Sequence, residues 1–202
     1  MKNIKTKFIV FEGIDGSGKT TQIKKLHDFL IKKGIKAVMT REHQMSGVGL
    51  LIDDVLNKRI KIDPLALEIC FVADRCDHTN NFIKPKLKEE NVVICDRYYW
   101  STVAYSENKY RDWMLKINKD IGIMPDVTIF VDTSPKVAIE RIGKGRNIKT
   151  IFEKQKSLER IRKNYLWLEK NDNLKVIRVD GDKKVEEIYE EILAKLGYGQ
   201  NF

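Results

Sequence analysis

The glycine-rich segment at residues 13–20 constrains the fold more than any other part of the sequence. It reads Gly-Ile-Asp-Gly-Ser-Gly-Lys-Thr and lies between an apolar run at residues 8–11 and a helix-patterned segment at residues 19–33. A strand, a glycine-rich turn and a helix in this order are the context in which G-x-x-x-x-G-K-[ST] is a phosphate-binding loop, or P-loop. The sequence therefore predicts that the chain binds a nucleoside triphosphate.

Each part of this loop has a role in binding phosphate. The backbone N–H groups can point inward around an anion, and the helix dipole places positive charge behind them. The Lys19 ammonium can follow the β- and γ-phosphates, and the Thr20 hydroxyl is a ligand for Mg²⁺. We expect the triphosphate to be held by the residues of this loop: Gly13, Ile14, Asp15, Gly16, Ser17, Gly18, Lys19 and Thr20.

The composition is typical of a globular protein that works inside the cell. Hydrophobic residues make up 42% of the 202 residues, which fits one domain that we place at residues 1–202. No apolar run is long enough to span a bilayer and no signal-peptide pattern opens the chain, so we expect no membrane association. The three cysteines form no C-x-x-C pair, which favours reduced thiols and a cytoplasmic location.

The net charge of +9 raises the question of a nucleic-acid partner. Charged residues make up 33% of the chain, but both signs are interleaved along it. No basic block alternates with aromatic residues, which argues against nucleic-acid binding. A basic surface also favours the capture of anionic nucleotides, so the charge agrees with the P-loop.

Five apolar segments alternate with helix-patterned segments along the chain. We predict strands at residues 8–11, 37–40, 91–95, 127–131 and 174–179. We predict helices at residues 19–33, 48–59, 64–78, 82–90, 101–121 (a stretch with room for one break), 135–142, 151–169 and 185–196. This alternation predicts an α/β fold with three layers, in which helices flank a five-stranded parallel sheet. Ligands of such sheets bind outside the carboxyl ends of the strands, so residues that follow the strands are the first site candidates.

Three predicted strands are followed by an aspartate whose carboxylate could support a Mg²⁺ ion. Asp132 precedes Thr-Ser-Pro and Asp180 precedes a glycine, so both also fit capping or turn positions. Asp96 lies in a denser polar cluster, with Arg97 and Ser101 close behind it in the sequence. This surrounding favours Asp96 as the metal-supporting residue, together with the Thr20 hydroxyl.

The segment at residues 96–105 reads Asp-Arg-Tyr-Tyr-Trp-Ser-Thr-Val-Ala-Tyr and resembles the D-R-Y-x-x-S-x-x-A-Y signature of thymidylate kinases. Other landmarks follow in that family's order. The P-loop segment at residues 11–22 resembles the family's own, Thr-Arg-Glu at residues 40–42 resembles T-R-E-P, and Phe-Val-Ala-Asp-Arg at residues 71–75 resembles F-x-A-x-R. The resemblance implies a P-loop kinase fold with a short lid at about residues 142–151. It also implies transfer of the γ-phosphate of ATP to dTMP with Mg²⁺ as cofactor, giving ADP and dTDP for dTTP synthesis.

The resemblance implies how the acceptor's phosphate and sugar are held. Arg97 grips the dTMP phosphate, with help from Arg41, because an arginine fork pairs two phosphate oxygens and keeps its charge. Asp15 is the loop carboxylate that meets the sugar 3′-hydroxyl, which explains an acid inside an anion-binding loop. Tyr105 packs beneath the deoxyribose, where a 2′-hydroxyl would collide with it.

The resemblance also implies a pocket for the thymine base. Phe71 and Arg75 are four residues apart and share a helix face, so that Phe71 can stack on the base while Arg75 binds its exocyclic oxygen. From the residues alone, the ordinary interpretation of this pair is a core aromatic and a surface charge. Thr102 resembles the polar position that reaches the thymine edge, and Ser101 belongs to the same dTMP-binding segment.

The Arg-Ile-Gly-Lys-Gly-Arg segment at residues 141–146 lies where these kinases carry the lid. Its glycines can serve as hinges, and Arg146 can supply charge to the transferring phosphoryl group. We expect Arg141 near the ATP adenine, although a solvated basic loop is the alternative for the whole segment. The resulting set of catalytic residues is Lys19, Arg97, Arg146 and Asp15.

The sequence departs from the family pattern beside the acceptor site. His43 replaces the proline of T-R-E-P, and Ser106 stands where many members have glutamine. These changes leave open a kinase for another deoxynucleotide or nucleoside. A P-loop switch or nucleic-acid ATPase is the rival from another class, although no water-positioning or coupling segment is evident. Thymidylate kinases are commonly dimers, so the resemblance also implies a homodimer.

Overall fold

The computed structural model describes residues 6–44, 47–89, 91–145 and 155–198. Its five strands form one sheet in the order β2-β3-β1-β4-β5, and every neighbouring pair is parallel. The strands are β1 (Phe8–Glu12), β2 (Ala37–Arg41), β3 (Val92–Asp96), β4 (Val127–Asp132) and β5 (Val176–Asp180). The predicted five-stranded parallel α/β fold is confirmed, and each strand begins and ends within two residues of its predicted bounds.

Helices follow the strands as the sequence periodicity predicts. The described helices are α1 (Lys19–Lys32), α2 (Val48–Leu56), α3 (Pro64–His78), α4 (Lys84–Lys88), α5 (Tyr99–Tyr105), α6 (Arg111–Ile121), α7 (Pro135–Gly145), α8 (Gln155–Asn171) and α9 (Val185–Lys195). A π-helical turn, Thr79–Ile83, joins α3 to α4, and a 3₁₀ turn, Asn108–Tyr110, precedes α6.

The helical stretch predicted at residues 101–121, with room for one break, is broken once, because Ser106 adopts an extended conformation (ψ 163°) at the end of α5. Another helix prediction needs correction. The helix predicted to end at residue 142 continues through Gly145, so the glycines expected to act as hinges at residues 143 and 145 are helical. Glycine lowers helix stability by about 1 kcal/mol relative to alanine but does not by itself end a helix. The rest of the predicted lid, including Arg146, lies outside the described residues.

The start of α3 shows how the sequence sets the register of a helix that carries site residues. The Asp63 carboxylate accepts hydrogen bonds from the backbone N–H groups of Leu65 (2.8 Å) and Ala66 (3.3 Å). Pro64 occupies the first helical position, where its missing N–H is not needed. Such an N-cap stabilises a helix by about 1 kcal/mol. The cap therefore fixes where α3 begins, and with it the helix face on which Phe71 and Arg75 lie.

The core lies on both faces of the sheet, as a three-layer fold requires. Alternate residues of β1 point to opposite sides, so that Phe8 and Val10 pack in one cluster while Ile9 and Phe11 pack in the other. Helices α5 and α8 cover the first face, and α1 and α9 cover the second. None of the helices in the described ranges is both long enough and apolar enough to cross a membrane.

The sheet order places the candidate site residues at one edge. β3 lies between β1 and β2, and its last residue, Asp96, is opposite Phe11 of β1 and Arg41 of β2. The P-loop begins directly after β1, so the loop, Arg41 and Asp96 open into the same space. The carboxyl ends of the central strands therefore form the floor of a cleft.

Candidate active site

A cleft with a volume of about 910 Å³ lies over the carboxyl ends of the strands. The predicted site residues that line it are Asp15, Gly16, Ser17, Gly18, Lys19, Thr20, Arg41, Phe71, Arg75, Asp96, Arg97, Ser101, Thr102, Tyr105 and Arg141. Gly13 and Ile14 do not line the cleft; Ile14 is buried in the core below the loop. The cleft thus brings the P-loop and the predicted acceptor residues together.

The P-loop is packed so closely that two of its positions require glycine. Gly13 has a φ of 146°, and a Cβ atom there would lie 2.5 Å from the Val131 carbonyl oxygen. Gly16 has a φ of 79°, and its Cβ would lie 2.5 Å from the Ala138 carbonyl oxygen on α7. Both φ values favour glycine, and both sites lack room for a side chain. The loop is therefore clamped between β4 and α7.

The Lys19 ammonium is folded back against the loop that it would serve. Its Nζ donates to the carbonyl oxygens of Gly13 and Ile14, both at 3.0 Å, and to Ser17 Oγ at 3.3 Å. Burial, together with the nearby Arg97 charge, lowers the Lys19 pKa to about 8. A phosphate in the loop would favour the charged form of this lysine.

Thr20 and Asp96 fit the requirements of a Mg²⁺ site. The Thr20 hydroxyl donates to Asp96 Oδ2 at 2.9 Å. Asp96 Oδ1 is buried and has no hydrogen-bond partner among the described residues. Within the described ranges no three His, Cys, Asp or Glu side chains form a metal cage. An ion held by Thr20 and Asp96 would thus take its remaining ligands from phosphate oxygens and water, as Mg²⁺ commonly does.

The other two strand-ending aspartates are engaged elsewhere. Asp132 accepts hydrogen bonds from Arg162 (2.6 Å to Oδ1) and from Arg178 (2.6 Å to Oδ2). Asp180 accepts from the Asp182 backbone N–H at 3.0 Å, as expected of a turn residue. The geometry therefore supports Asp96, the choice favoured by its sequence surroundings.

Arg97 is the centre of contacts between the P-loop and α5. Its Nη1 donates to the Gly13 carbonyl oxygen and to Ser101 Oγ, both at 3.0 Å, and its Nη2 donates to Asp15 Oδ1 at 2.5 Å. The guanidinium carbon lies 5.3 Å from the centre of the Tyr105 ring. The Arg97 backbone has a φ of 72°, a conformation that non-glycine residues adopt mainly where structure demands it.

Glu12 anchors this arrangement from below, and sequence reasoning missed it. This fully buried carboxylate accepts from the backbone N–H groups of Tyr98 (2.8 Å) and Ser101 (3.1 Å). It also accepts from the hydroxyls of Ser101 (2.6 Å) and Tyr165 (3.0 Å). Burial raises the Glu12 pKa, while these hydrogen bonds and the Arg97 charge oppose the rise. The sequence signal that could have identified Glu12 is an acidic residue at the end of an otherwise apolar strand.

Arg75 is a buried ion-pair partner and not a surface charge. Its side chain is 1% exposed. Nη2 donates to Glu42 Oε2 and Nη1 donates to Asn118 Oδ1. The guanidinium also lies over the Tyr98 ring, with 5.1 Å between Cζ and the ring centre. The alternative of an ordinary surface arginine is therefore wrong. Its partners Glu42 and Asn118 lie 33 and 43 residues away along the chain, so the sequence pattern does not reveal them.

Four buried polar atoms in the acceptor half of the cleft lack hydrogen-bond partners within the described residues: His43 Nε2, Glu68 Oε2, Arg75 Nε and Thr102 Oγ1. Two of them, Arg75 Nε and Thr102 Oγ1, belong to residues predicted to bind the base. Buried polar groups in native proteins are nearly always hydrogen-bonded, so each such atom calls for an explanation. Phe71 lies on the same wall and is half-buried. A planar ligand with polar edges would satisfy both atoms while stacking on Phe71.

His43, which stands in place of the proline of the T-R-E-P pattern, also lines this pocket. The His43 ring lies edge-on to Phe71 with 5.9 Å between ring centres, and the Glu42–His43 peptide bond is cis. Burial lowers the His43 pKa, and the Arg41 charge lowers it further. The Arg41 side chain is exposed at the end of β2, and its guanidinium has no hydrogen-bond or ion-pair partner in the described part of the chain. Arg41 is thus available to an anionic ligand.

Of the two predicted lid arginines, Arg141 lies within the described residues. Arg141, on α7, donates through Nη1 to the carbonyl oxygens of Gly181 (2.8 Å) and Ser17 (3.4 Å). It therefore lies beside the P-loop, next to the turn that follows β5. Arg146 lies outside the described residues.

Glu68 leads to a prediction on the pH dependence of stability. It lines the cleft one turn before Phe71, and its Oε1 accepts from the Glu107 backbone N–H at 3.3 Å. Burial raises its pKa from 4.5 to about 7. The folded state therefore binds more protons than the unfolded state between these pH values, so this contribution to stability is lost as pH rises from 4.5 to about 7.

We expect Glu68→Gln, which does not titrate, to gain stability relative to the native chain as the pH rises through this window. Urea unfolding at a series of pH values from acidic to mildly alkaline would measure the difference. The exposed Glu190→Gln substitution is the control and should show no such trend. A constant difference between the Glu68→Gln variant and the native chain would contradict the assignment.

Comparisons with known proteins agree with the geometry of the cleft. A family model described as thymidylate kinase matches residues 11–192. A probable thymidylate kinase of Methanocaldococcus jannaschii is 38% identical over 191 residues, which cover 94% of this chain and 95% of that protein. A thymidylate kinase of Carboxydothermus hydrogenoformans is 36% identical over 194 residues, covering 92% and 94%. A probable thymidylate kinase of Staphylothermus marinus is 36% identical over 190 residues and 92% of both chains. The chain belongs to the thymidylate kinase family.

Proposed function

We propose that this protein transfers the γ-phosphate of ATP to dTMP, giving ADP and dTDP for dTTP synthesis. The observation that carries the proposal is the continuity of one cleft from Lys19 of the P-loop, through Arg97, to Phe71 and Arg75. Two anionic nucleotides can meet in such a cleft with their phosphates between them. Family membership supports the same reaction.

The donor half of the cleft suits ATP. The backbone N–H groups of residues 13–20 cradle the phosphates at the start of α1, and Lys19 supplies a mobile positive charge. Arg141 lies beside the loop at the end of β5, and we assign it to the adenine side. Thr20 and Asp96 would hold Mg²⁺, which when bound neutralises charge on the β- and γ-phosphates.

The acceptor half suits a pyrimidine deoxynucleotide. Arg97 and Arg41 bind the 5′-phosphate, and Asp15 meets the sugar 3′-hydroxyl. The base stacks on Phe71, with its polar edge at the unpartnered atoms of Arg75 and Thr102. Ser101 holds the Arg97 fork in place through the contact at 3.0 Å. Tyr105 fills the space beneath the sugar and rejects a 2′-hydroxyl by collision.

The chemistry proposed for this site needs no covalent intermediate. The dTMP phosphate oxygen attacks the γ-phosphorus in line with the leaving ADP, and positioning with charge neutralisation lowers the barrier. Lys19 and Arg97 both donate to the Gly13 carbonyl oxygen, so their charges lie close together where the reacting phosphates would meet. By the sequence resemblance alone, we assign Arg146, which lies outside the described residues, to the equatorial oxygens of the transferring phosphoryl group.

A substrate-profile assay tests the function. Each nucleoside monophosphate would be offered with ATP and Mg²⁺, and ADP release would be followed in a coupled assay. We expect dTMP to give the highest kcat/KM and turnover to stop when EDTA removes the metal. Preference for another deoxynucleotide or a nucleoside would favour the related kinase alternative. ATP hydrolysis without an acceptor, or stimulation by DNA, would favour a P-loop switch or nucleic-acid ATPase.

We further propose that the protein is a cytoplasmic homodimer. Its three cysteines are free, as expected of a reducing compartment. The large apolar side chains of Ile69 on α3 and Trp113 on α6 are exposed, and these two helices pack against each other. A shared apolar face of this kind suits a two-fold interface. Light scattering should give twice the mass of one chain, and Ile69→Asp should give a monomer.

A further inference from the structure

The last turn of α5 carries Tyr105, and its carbonyl groups are fully accounted for. The final carbonyl groups of an α-helix have no partners within the helix. Here the Thr102 carbonyl oxygen accepts from the Ser106 backbone N–H at 3.1 Å. The Val103 carbonyl oxygen accepts from Ser106 Oγ at 2.9 Å. The serine found in place of the family's glutamine thus bonds the first two of these groups.

The remaining carbonyl groups are bonded by two side chains of α8. Asn164 Nδ2 donates to the Ala104 carbonyl oxygen at 2.9 Å. Arg160 donates to the carbonyl oxygen of Tyr105 through Nη2 (3.2 Å) and to that of Ser106 through Nη1 (2.6 Å). A cation at the carboxyl end of a helix is also favoured by the helix dipole. One guanidinium therefore closes the end of α5 inside the cleft.

The Tyr105 side chain is held at its far end by the P-loop. Its hydroxyl donates to Asp15 Oδ2 at 3.2 Å, and its ring lies under the Arg97 guanidinium. The ring thus spans the distance from the donor loop to the end of α5. Asp15 fixes the hydroxyl end of the Tyr105 side chain. The distance between the Tyr105 ring and the sugar therefore depends on where Arg160 holds the backbone at the end of α5.

A second helix holds the same segment from the acceptor side. Glu68 on α3 accepts a hydrogen bond from the backbone N–H of Glu107, which follows Ser106. Glu68 and Arg160 both line this part of the cleft and attract each other electrostatically. The segment that carries Tyr105 is therefore held between α3 and α8. A steric filter needs such support, because a wall that moves by about 1 Å no longer excludes a hydroxyl group.

We propose that Arg160 is a positioning residue for acceptor selectivity. By bonding the carbonyl groups of Tyr105 and Ser106, it holds the Tyr105 ring where a deoxyribose is admitted and a ribose is rejected. Without Arg160, both carbonyl groups would turn to water in the cleft and the last turn of α5 would fray. This inference rests on the proposed function, since it concerns the sugar of the same acceptor nucleotide.

The test compares dTMP with its ribose counterpart, ribothymidine 5′-monophosphate, in one set of variants. We expect Arg160→Ala to lower the ratio of the two kcat/KM values by about tenfold, with kcat for dTMP within about threefold of the native value. Arg160→Lys, which keeps the charge but not the fork, should recover part of the ratio. Tyr105→Ala removes the ring itself and should therefore give the largest fall in this ratio.

Arg162→Ala is the matched control. Arg162 is also an α8 arginine, but it bonds Asp132 at the end of β4, so its removal should lower stability and leave the substrate ratio unchanged. Because each ratio is taken within one variant, differences in folded fraction cancel. If Arg160→Ala fails to fold, Arg160→Gln carries the same measurement with one amide donor in place of the fork.

Three outcomes separate this inference from its alternatives. An unchanged ratio in Arg160→Ala would overturn it. A large and equal loss of kcat on both substrates would also overturn it, because that result would place Arg160 on the transferring phosphoryl group. A native protein that does not phosphorylate dTMP would refute the proposed function itself, whereas dTMP turnover with unchanged ratios refutes only the role of Arg160.

Discussion

Replacing Arg97 by alanine should lower kcat/KM for dTMP by about a thousandfold or more, while ATP affinity changes by only a few fold. The guanidinium is aimed at the acceptor side of the P-loop and offers a fork that matches two phosphate oxygens. Its removal also takes away the cation that bonds Asp15 Oδ1, so the negative charge of Asp15 would be less offset beside the acceptor phosphate. A coupled assay gives kcat/KM, and a titration of the protein with ATP gives the donor affinity.

Arg97→Lys separates charge from geometry at this position. Lysine keeps the positive charge but cannot bond Gly13, Ser101 and Asp15 from one planar group, so we expect only partial recovery. Thermal unfolding of each variant would show whether the fold is kept. An equal loss of ATP and dTMP affinity in the alanine variant would contradict the acceptor assignment, since a clamp on one phosphate affects one substrate.

Replacing Arg75 by methionine should destabilise the protein by about 3–5 kcal/mol, because the buried Glu42 carboxylate loses its charge partner. Among the described residues, the Glu42 carboxylate would then keep only the contact with His78, whose Nδ1 lies 3.3 Å from Oε1. Urea unfolding would measure the loss. The same substitution removes the donor proposed for the thymine oxygen, so dTMP binding should also weaken.

A double variant separates these two effects of Arg75. In Arg75→Met combined with Glu42→Gln, no buried charge is left alone, and most of the lost stability should return. The thymine contact stays absent, so KM for dTMP should remain raised. If the double variant recovers dTMP binding along with stability, Arg75 acts only through the fold and the recognition role is wrong.

The fold was predictable because its signals are local. Strand, loop and helix patterns repeat along the chain, and the motif already implies glycine at positions 13 and 18, where φ is positive. The parallel order of the strands then places the carboxyl ends of β1, β2 and β3 together. From there, Asp96 and Arg41 could be expected beside the P-loop without any side-chain detail.

The supporting contacts were not predictable because they join distant parts of the sequence. Glu12 and Tyr165 are 153 residues apart, and Arg75 and Asn118 are 43 apart. A single sequence shows each of these residues but not which of them are in contact. Arg160 was missed for the same reason: its partners are backbone carbonyl groups, which carry no residue signature.

The buried Glu12 carboxylate joins the strand that feeds the donor loop to the helix that carries half of the acceptor pocket. The donor and acceptor halves of the cleft cannot be changed independently near Glu12, since any shift of α5 also moves the P-loop. Altered acceptor preference, in engineering or in natural divergence, should therefore arise on the opposite wall, in α2, α3 and the loop that holds His43. That wall is the part of the pocket that can change its shape while the phosphates keep their places.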